Sequence, residues 1–137
     1  MVTYDKNAKN VRYIAVFFDA ATQTFIRRYS KKGLDNPTGD LHVTVQYKPE
    51  DDHSELFGEK VSVKVVAYGN NGRNEGLKVE VIAENAELQA LLDGIAVPHI
   101  TLSWSKDSKA VFTKDVCFDE PVNCVIIEGT FGAFIKG

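Results

Sequence analysis

Residues 61–68 read VSVKVVAY and residues 77–83 read LKVEVIA. In the first, Val61, Val63, Val65 and Ala67 recur at every second position, and the second alternates in the same way. A period of two belongs to a strand whose side chains point alternately to two faces, so both stretches predict half-buried strands. Between them, Gly69 to Gly76 (GNNGRNEG) is rich in Gly and Asn and predicts a flexible hairpin connection. A hairpin enforces antiparallel pairing.

The remaining segments extend that reading. Val11–Phe18 is β-branched and aromatic and predicts a strand. Asp19 then predicts an N-cap, followed by a short helix from Ala20 to Tyr29 whose apolar face is Phe25, Ile26 and Tyr29. Lys32 to Gly39 predicts a loop, His42–Tyr47 a strand, and acidic Pro49 to Gly58 an exposed loop. Asn85 predicts the cap of a second helix ending near Asp93, with Leu88, Leu91 and Leu92 as its stripe. Val97–Trp104, Val111–Phe118, Cys124–Glu128 and Thr130–Ile135 complete the expected strands. Trp104 continues the Ile100/Leu102 face and is expected in the core. Regular helices do not separate the strands, so a doubly wound parallel sheet is excluded. The expected class is α+β with mostly antiparallel sheet and a few short helices.

At 137 residues the chain (1–137) has the size of a single domain, or of two small lobes sharing a core. The net charge of −3 argues against non-specific binding to long duplex nucleic acid, which requires a basic surface. No apolar run is long enough to span a bilayer, and the first residues carry no signal-peptide pattern, so no membrane partner and a cytoplasmic location are expected. Cys117 and Cys124 are then expected as reduced thiols, and their setting lacks zinc-ligand spacing. The basic cluster Arg27, Arg28, Lys31 and Lys32 suits a solvated helix end, with substrate steering as the alternative.

Two of the three histidines open the same four-residue pattern, HVTV at His42 and HITL at His99. Each lies in an expected strand. Alternation puts His42, Thr44 and Gln46 on one face, and likewise His99, Thr101 and Ser103, while Val43, Val45, Ile100 and Leu102 anchor the strands from the other. Two such strands facing one another would assemble two imidazoles and two hydroxyls in one cleft. Histidine titrates near neutrality, so one ring can remove a proton while the other delivers one. The threonine hydroxyls can hold an anionic phosphoryl oxygen as charge builds on it. This chemistry calls for no metal and no cofactor. His53, in the acidic loop, lacks this setting.

The paired motifs resemble those of the 2H phosphoesterase superfamily, marked by two His-x-Thr/Ser-x motifs, one per lobe of a pseudo-symmetric fold. The resemblance spans nearly the whole chain in length and element order. It implies two lobes of antiparallel sheet around a central cleft, with His42 and His99 as acid and base and Thr44 and Thr101 on the phosphate. The context PHITLSWSKDSKAV, with Lys109-Ala110-Val111, looks like the tRNA-ligase-type and phage-type members. The late IIEGTFGAF is similar to the anti-CBASS phage phosphodiesterases, which degrade cyclic di- and trinucleotide immune messengers. That branch implies Tyr13, Lys109, Glu128 and Phe134 as substrate-binding residues, and the host cytoplasm as location if the chain is phage-encoded. Phe134 stands where those relatives use Trp. Read from the residues alone, Tyr13 and Phe134 suit core packing as well as base stacking, Glu128 an exposed strand end, and Lys109 a solvated position.

The expected activity is therefore a metal-independent phosphodiesterase acting on cyclic oligonucleotides. The rival readings are a 2′,3′-cyclic phosphodiesterase acting on RNA ends or cyclic mononucleotides, and a non-catalytic nucleotide-binding module.

Overall fold

The computed structural model describes residues 1–136. The alternating stretches form a long hairpin, β5 (Lys60–Asn70) and β6 (Asn74–Ala83). The other strands are β1 (Val2–Thr3), β2 (Val11–Phe17), β3 (Asn36–Pro37), β4 (His42–Tyr47), β7 (His99–Trp104) and β8 (Glu120–Ile135). Two short helices join them, α1 (Ala20–Arg27) and α2 (Ala86–Leu92). Every strand pairing is antiparallel. Six strands close on themselves in the order β8–β2–β4–β7–β6–β5 and back to β8, with β1 added beside β8 and β3 beside β7. The molecule is thus a mixed α/β protein built on a closed six-stranded antiparallel barrel.

All six barrel strands send apolar side chains into one buried cluster, including Ile14, Val16, Val43, Val63, Leu77, Val79, Ile100 and Phe131. Ile26 of α1 and Leu88 and Leu92 of α2 join it. Both helices start as their caps dictate: Asp19 accepts the Thr22 amide at 2.7 Å and Asn85 accepts the Leu88 amide at 3.0 Å. Alternation then leaves the remaining side chains of each strand on the outer surface of the barrel.

Several expectations are corrected. Most of Gly69 to Gly76 is strand rather than flexible connection, and only residues 71–73 turn, with Gly72 at φ +82°. Gly69 and Gly76 serve close approach: a Cβ on Gly76 would lie 2.5 Å from Thr113 Cγ2 and 2.7 Å from the Ile100 carbonyl oxygen. Val111–Phe118 is not a strand. Ala110–Asp115 coils as a 3-10 helix laid on the outside of β6 and β7, held by Asn74 Nδ2, which donates to the Lys109 carbonyl and to Thr113 Oγ1. Cys124–Glu128 and Thr130–Ile135 are one continuous strand, because Gly129 does not break β8 but packs tightly on Phe17 and Val16. Ser103 leaves the outer face through a bulge opposite Glu75 and Gly76 and is buried. Trp104, expected in the core, is half-buried at the end of β7, and β1 and β3 carry no sequence signal of their own.

The bulge brings Ser103 to Glu75, a fully buried carboxylate. Its oxygens accept the hydroxyls of Ser30 and Ser103, both at 2.7 Å, and of Tyr68 at 2.5 Å. They also accept the amides of Lys31 and Lys32 at 2.7 and 2.8 Å. Burial pushes the Glu75 carboxyl up, but these hydrogen bonds outweigh it and hold its pKa at about 2. Glu75 thereby ties β6 to β5, to β7 and to the segment after α1. In the basic cluster, Arg27 donates to the Thr38 carbonyl at 2.8 Å and Lys31 pairs with Glu120.

Candidate functional site

The two motif strands are neighbours. Val43 and Ile100 lie opposite each other across β4 and β7, both buried. Antiparallel register from that pair sets Thr101 opposite His42 and Thr44 opposite His99, all four on the outer face. The row continues on both sides. On β2, Phe17 lies opposite His42 and Ala15 opposite Thr44. On β6, Gly76 lies opposite Thr101 and Lys78 opposite His99. Beyond β2, Thr130 and Gly132 of β8 pair with Phe17 and Ala15.

Small residues mark where other segments descend on this face. Thr113 of the 3-10 helix rests against Gly76, and Tyr4 lies over Gly132, where a Cβ would come 2.5 Å from the Tyr4 ring. Thr101 Oγ1 donates to the Ala110 carbonyl at 3.3 Å, fastening β7 to the 3-10 helix. The histidine–threonine quartet sits between these two covering segments.

The two histidines are held alike. His42 Nδ1 is 2.6 Å from the Asp40 carbonyl oxygen, and His99 Nδ1 is 2.7 Å from that of Val97, two residues upstream in each case. A carbonyl only accepts, so each Nδ1 carries the proton and each Nε2 is left with its lone pair. Burial pushes both imidazoles below the ordinary 6.5. At His42 the Asp40 carbonyl opposes that shift and repulsion from His99 adds to it. At His99 the Val97 carbonyl opposes it and the Lys114 ammonium adds to it. Neutral rings with free Nε2 atoms can accept protons, and a protonated one can return its proton.

Aromatic rings supply the burial at His42. Tyr13 stacks on it with centroids 5.0 Å apart and planes at 30°, and Phe17 packs at 5.7 Å. Tyr13 also stacks on Phe134, at 5.1 Å with planes 1° apart. Its phenol is pushed up to about 12 by burial and by the Asp40 carboxylate, so it stays neutral.

No protein-family model matches this sequence, and no curated protein matches it either.

The structure brings His42, Thr44, His99 and Thr101 together and places Tyr13 and Phe134 beside them. Lys109 is exposed at the start of the 3-10 helix, one residue from the carbonyl that Thr101 binds. Glu128 is exposed on β8, opposite Ser62, with its carboxylate 3.9 Å from Lys60. Sequence reasoning missed Phe17, Asp40, Lys78, Lys114 and Tyr4. Phe17 and Tyr13 share a strand face by alternation, but only the pairing of β2 with β4 sets that face beside His42. Lys78 is equally invisible without the β6–β7 register. Cys117 and Cys124 are both free and exposed. Among the described residues, no helix is long and apolar enough to cross a membrane.

Proposed function

We propose that this chain is a metal-independent phosphodiesterase of the 2H kind, which opens 3′–5′ linkages of cyclic di- and trinucleotides. One observation carries the reading. Two His-x-Thr strands lie side by side, and both histidines are pinned through Nδ1 so that Nε2 is free. The finer architecture goes with it: two pseudo-symmetric halves, one per motif, flanking a central cleft that holds the scissile phosphate.

In the proposed reaction one imidazole Nε2 takes the proton from the ribose 2′-hydroxyl. The 2′-oxygen attacks phosphorus and the P–O5′ bond breaks. The other imidazole, protonated, gives its proton to the departing 5′-oxygen. The products are a 2′,3′-cyclic phosphate and a 5′-hydroxyl. Thr44 donates a hydrogen bond to a non-bridging oxygen, Thr101 does the same by swinging its hydroxyl away from the Ala110 carbonyl, and Lys109 and Lys78 add positive charge near them. Phe134, with the edge of the Tyr13 ring, gives the bases an apolar wall, and Glu128 offers an acceptor to a base edge. The substrate is small and cytoplasmic, within an infected host if the chain is phage-encoded.

The test is turnover in EDTA of a 3′–5′ cyclic dinucleotide and, separately, of a 2′,3′-cyclic mononucleotide. The expected result is opening of the dinucleotide, reduced by about 10²–10⁴-fold in His42→Ala and in His99→Ala. Cleavage of a 2′-deoxy dinucleotide would overturn internal attack. Opening of the mononucleotide alone would move the reading to RNA ends, and stoichiometric depletion without turnover would make the chain a binding module.

A further inference from the structure

Tyr13 has more to do than its place on the aromatic wall suggests. Its ring has three stacking partners, Phe134 at 5.1 Å, His42 at 5.0 Å and, more loosely, Tyr47 at 6.4 Å. The parallel fit to Phe134 fixes the plane of the Tyr13 ring, and the Tyr13 ring limits the tilt of the imidazole. Phe17 closes the adjoining side: it is 6.2 Å from Tyr13, 5.7 Å from His42, and only 2% exposed. Between Tyr13 and Phe17 on the same strand face stands Ala15, whose methyl leaves room for the tyrosine to lean toward His42.

We propose that Tyr13 is a positioning residue for His42: stacked between Phe134 and the imidazole, it holds the ring plane and keeps water from it, so that His42 remains the neutral partner of the histidine pair. This rests on the phosphodiesterase reading only in naming His42 the base and His99 the acid. The physical claim about the imidazole does not need a substrate.

Asp40 faces His42 and favours its protonation, whereas His99 opposes it. Lys114 faces His99, and Lys78 lies across from it on β6. No aromatic ring is stacked on His99 among the described residues. The two histidines therefore share their Nδ1 anchor but differ in what covers them. Removing the Tyr13 ring exposes His42 to water while leaving its Asp40 anchor in place, so the imidazole should accept a proton more readily. Tyr13→Phe keeps the stacked ring and removes only the hydroxyl.

The experiment is an NMR titration of the ligand-free protein. The chain has only three histidines, so each signal is assigned by single replacement. The expected result is an upward shift of the His42 midpoint in Tyr13→Ala, none of comparable size at His53, and a near-native midpoint in Tyr13→Phe. Where Tyr13→Ala fails to fold, Tyr13→Leu carries the same comparison, since it removes the stacked ring while filling part of its volume. An unchanged His42 midpoint in the folded variant overturns the proposal. Turnover provides the second readout: activity of Tyr13→Ala should be lost at about pH 6 and largely recovered at about pH 8, where the imidazole is again neutral. Equal loss at both pH values overturns the role of Tyr13 in keeping His42 the base. Absence of turnover in the unmodified protein overturns the phosphodiesterase reading, and the titration then still decides whether Tyr13 controls the imidazole.

Discussion

Val43 and Ile100 oppose each other across β4 and β7, and all four side chains of the quartet take their places from that pair. Both are fully buried, so the outward aim of His42, Thr44, His99 and Thr101 depends on how firmly these two hold the strands inward. Ile100→Ala should lower the unfolding free energy by about 2–5 kcal/mol and Ile100→Val by about 0.5–1.5 kcal/mol, read by urea denaturation. A loss below about 1 kcal/mol in Ile100→Ala would mean that the pair does not anchor the site.

Glu75 is a second anchor. Glu75→Gln replaces an acceptor-only group with one that turns an NH2 toward hydroxyl and amide donors, leaving buried groups unsatisfied. The expected loss is roughly 3 kcal/mol or more. The carboxyl titrates at about 2 when folded against 4.5 ordinarily, so its proton affinity is lower in the folded chain. Its contribution is complete above 4.5 and disappears as pH falls toward 2, about 3 kcal/mol in all by linkage. Acid unfolding monitored by circular dichroism checks this: the Glu75→Gln variant should lose less stability over that window than the parent.

Gly76 lies opposite Thr101 and beneath Thr113. Gly76→Ala places a methyl 2.7 Å from the Ile100 carbonyl oxygen, a backbone atom that yields only if β6 and β7 separate. A stability loss of about 1–3 kcal/mol is expected, and, on the proposed phosphodiesterase function, reduced turnover as Thr101 moves. A variant as stable and active as the parent would show that the strands tolerate the extra group.

The histidines set a further pH dependence. Both titrate below 6.5 in the folded protein, so the unfolded chain binds protons more readily as pH falls through 6.5. Their contribution to stability is therefore full above that value and declines below it, toward the folded midpoints. The His42→Gln/His99→Gln double variant should show a flatter stability profile between about pH 7 and pH 5. An unchanged slope in chemical denaturation across that range would place the imidazoles in a water-like setting.

What the sequence showed of this site follows from periodicity. Alternation alone placed His42 with Thr44 and His99 with Thr101, and the apolar partners Val43 and Ile100 fell inward as expected. The caps Asp19 and Asn85 were equally legible, because capping is local. Alternation does not say which strands pair, so neither the adjacency of β4 and β7 nor the arrival of Phe17 beside His42 could be read. Ser103 went astray because a bulge resets the alternation without a mark in the sequence. Val111 and Phe112 look like a strand by composition, yet they are 57% and 47% exposed in a 3-10 helix fixed by Asn74 from another strand. Gly69 and Gly76 read as flexibility because a lone glycine looks the same whether it bends a chain or lets another segment lie on it.

The closure of the barrel has a kinetic consequence. Strand β8 pairs with β1, β2 and β5, all formed from residues before position 71. During synthesis from the N-terminus, the edges of β2 and β5 remain open until residues 120–135 emerge, and open edges recruit other chains. With so much of its pairing non-local, this protein should refold on the slow side for its length. Its yield should also fall steeply as the chain concentration during refolding is raised, whatever the stability of the finished barrel.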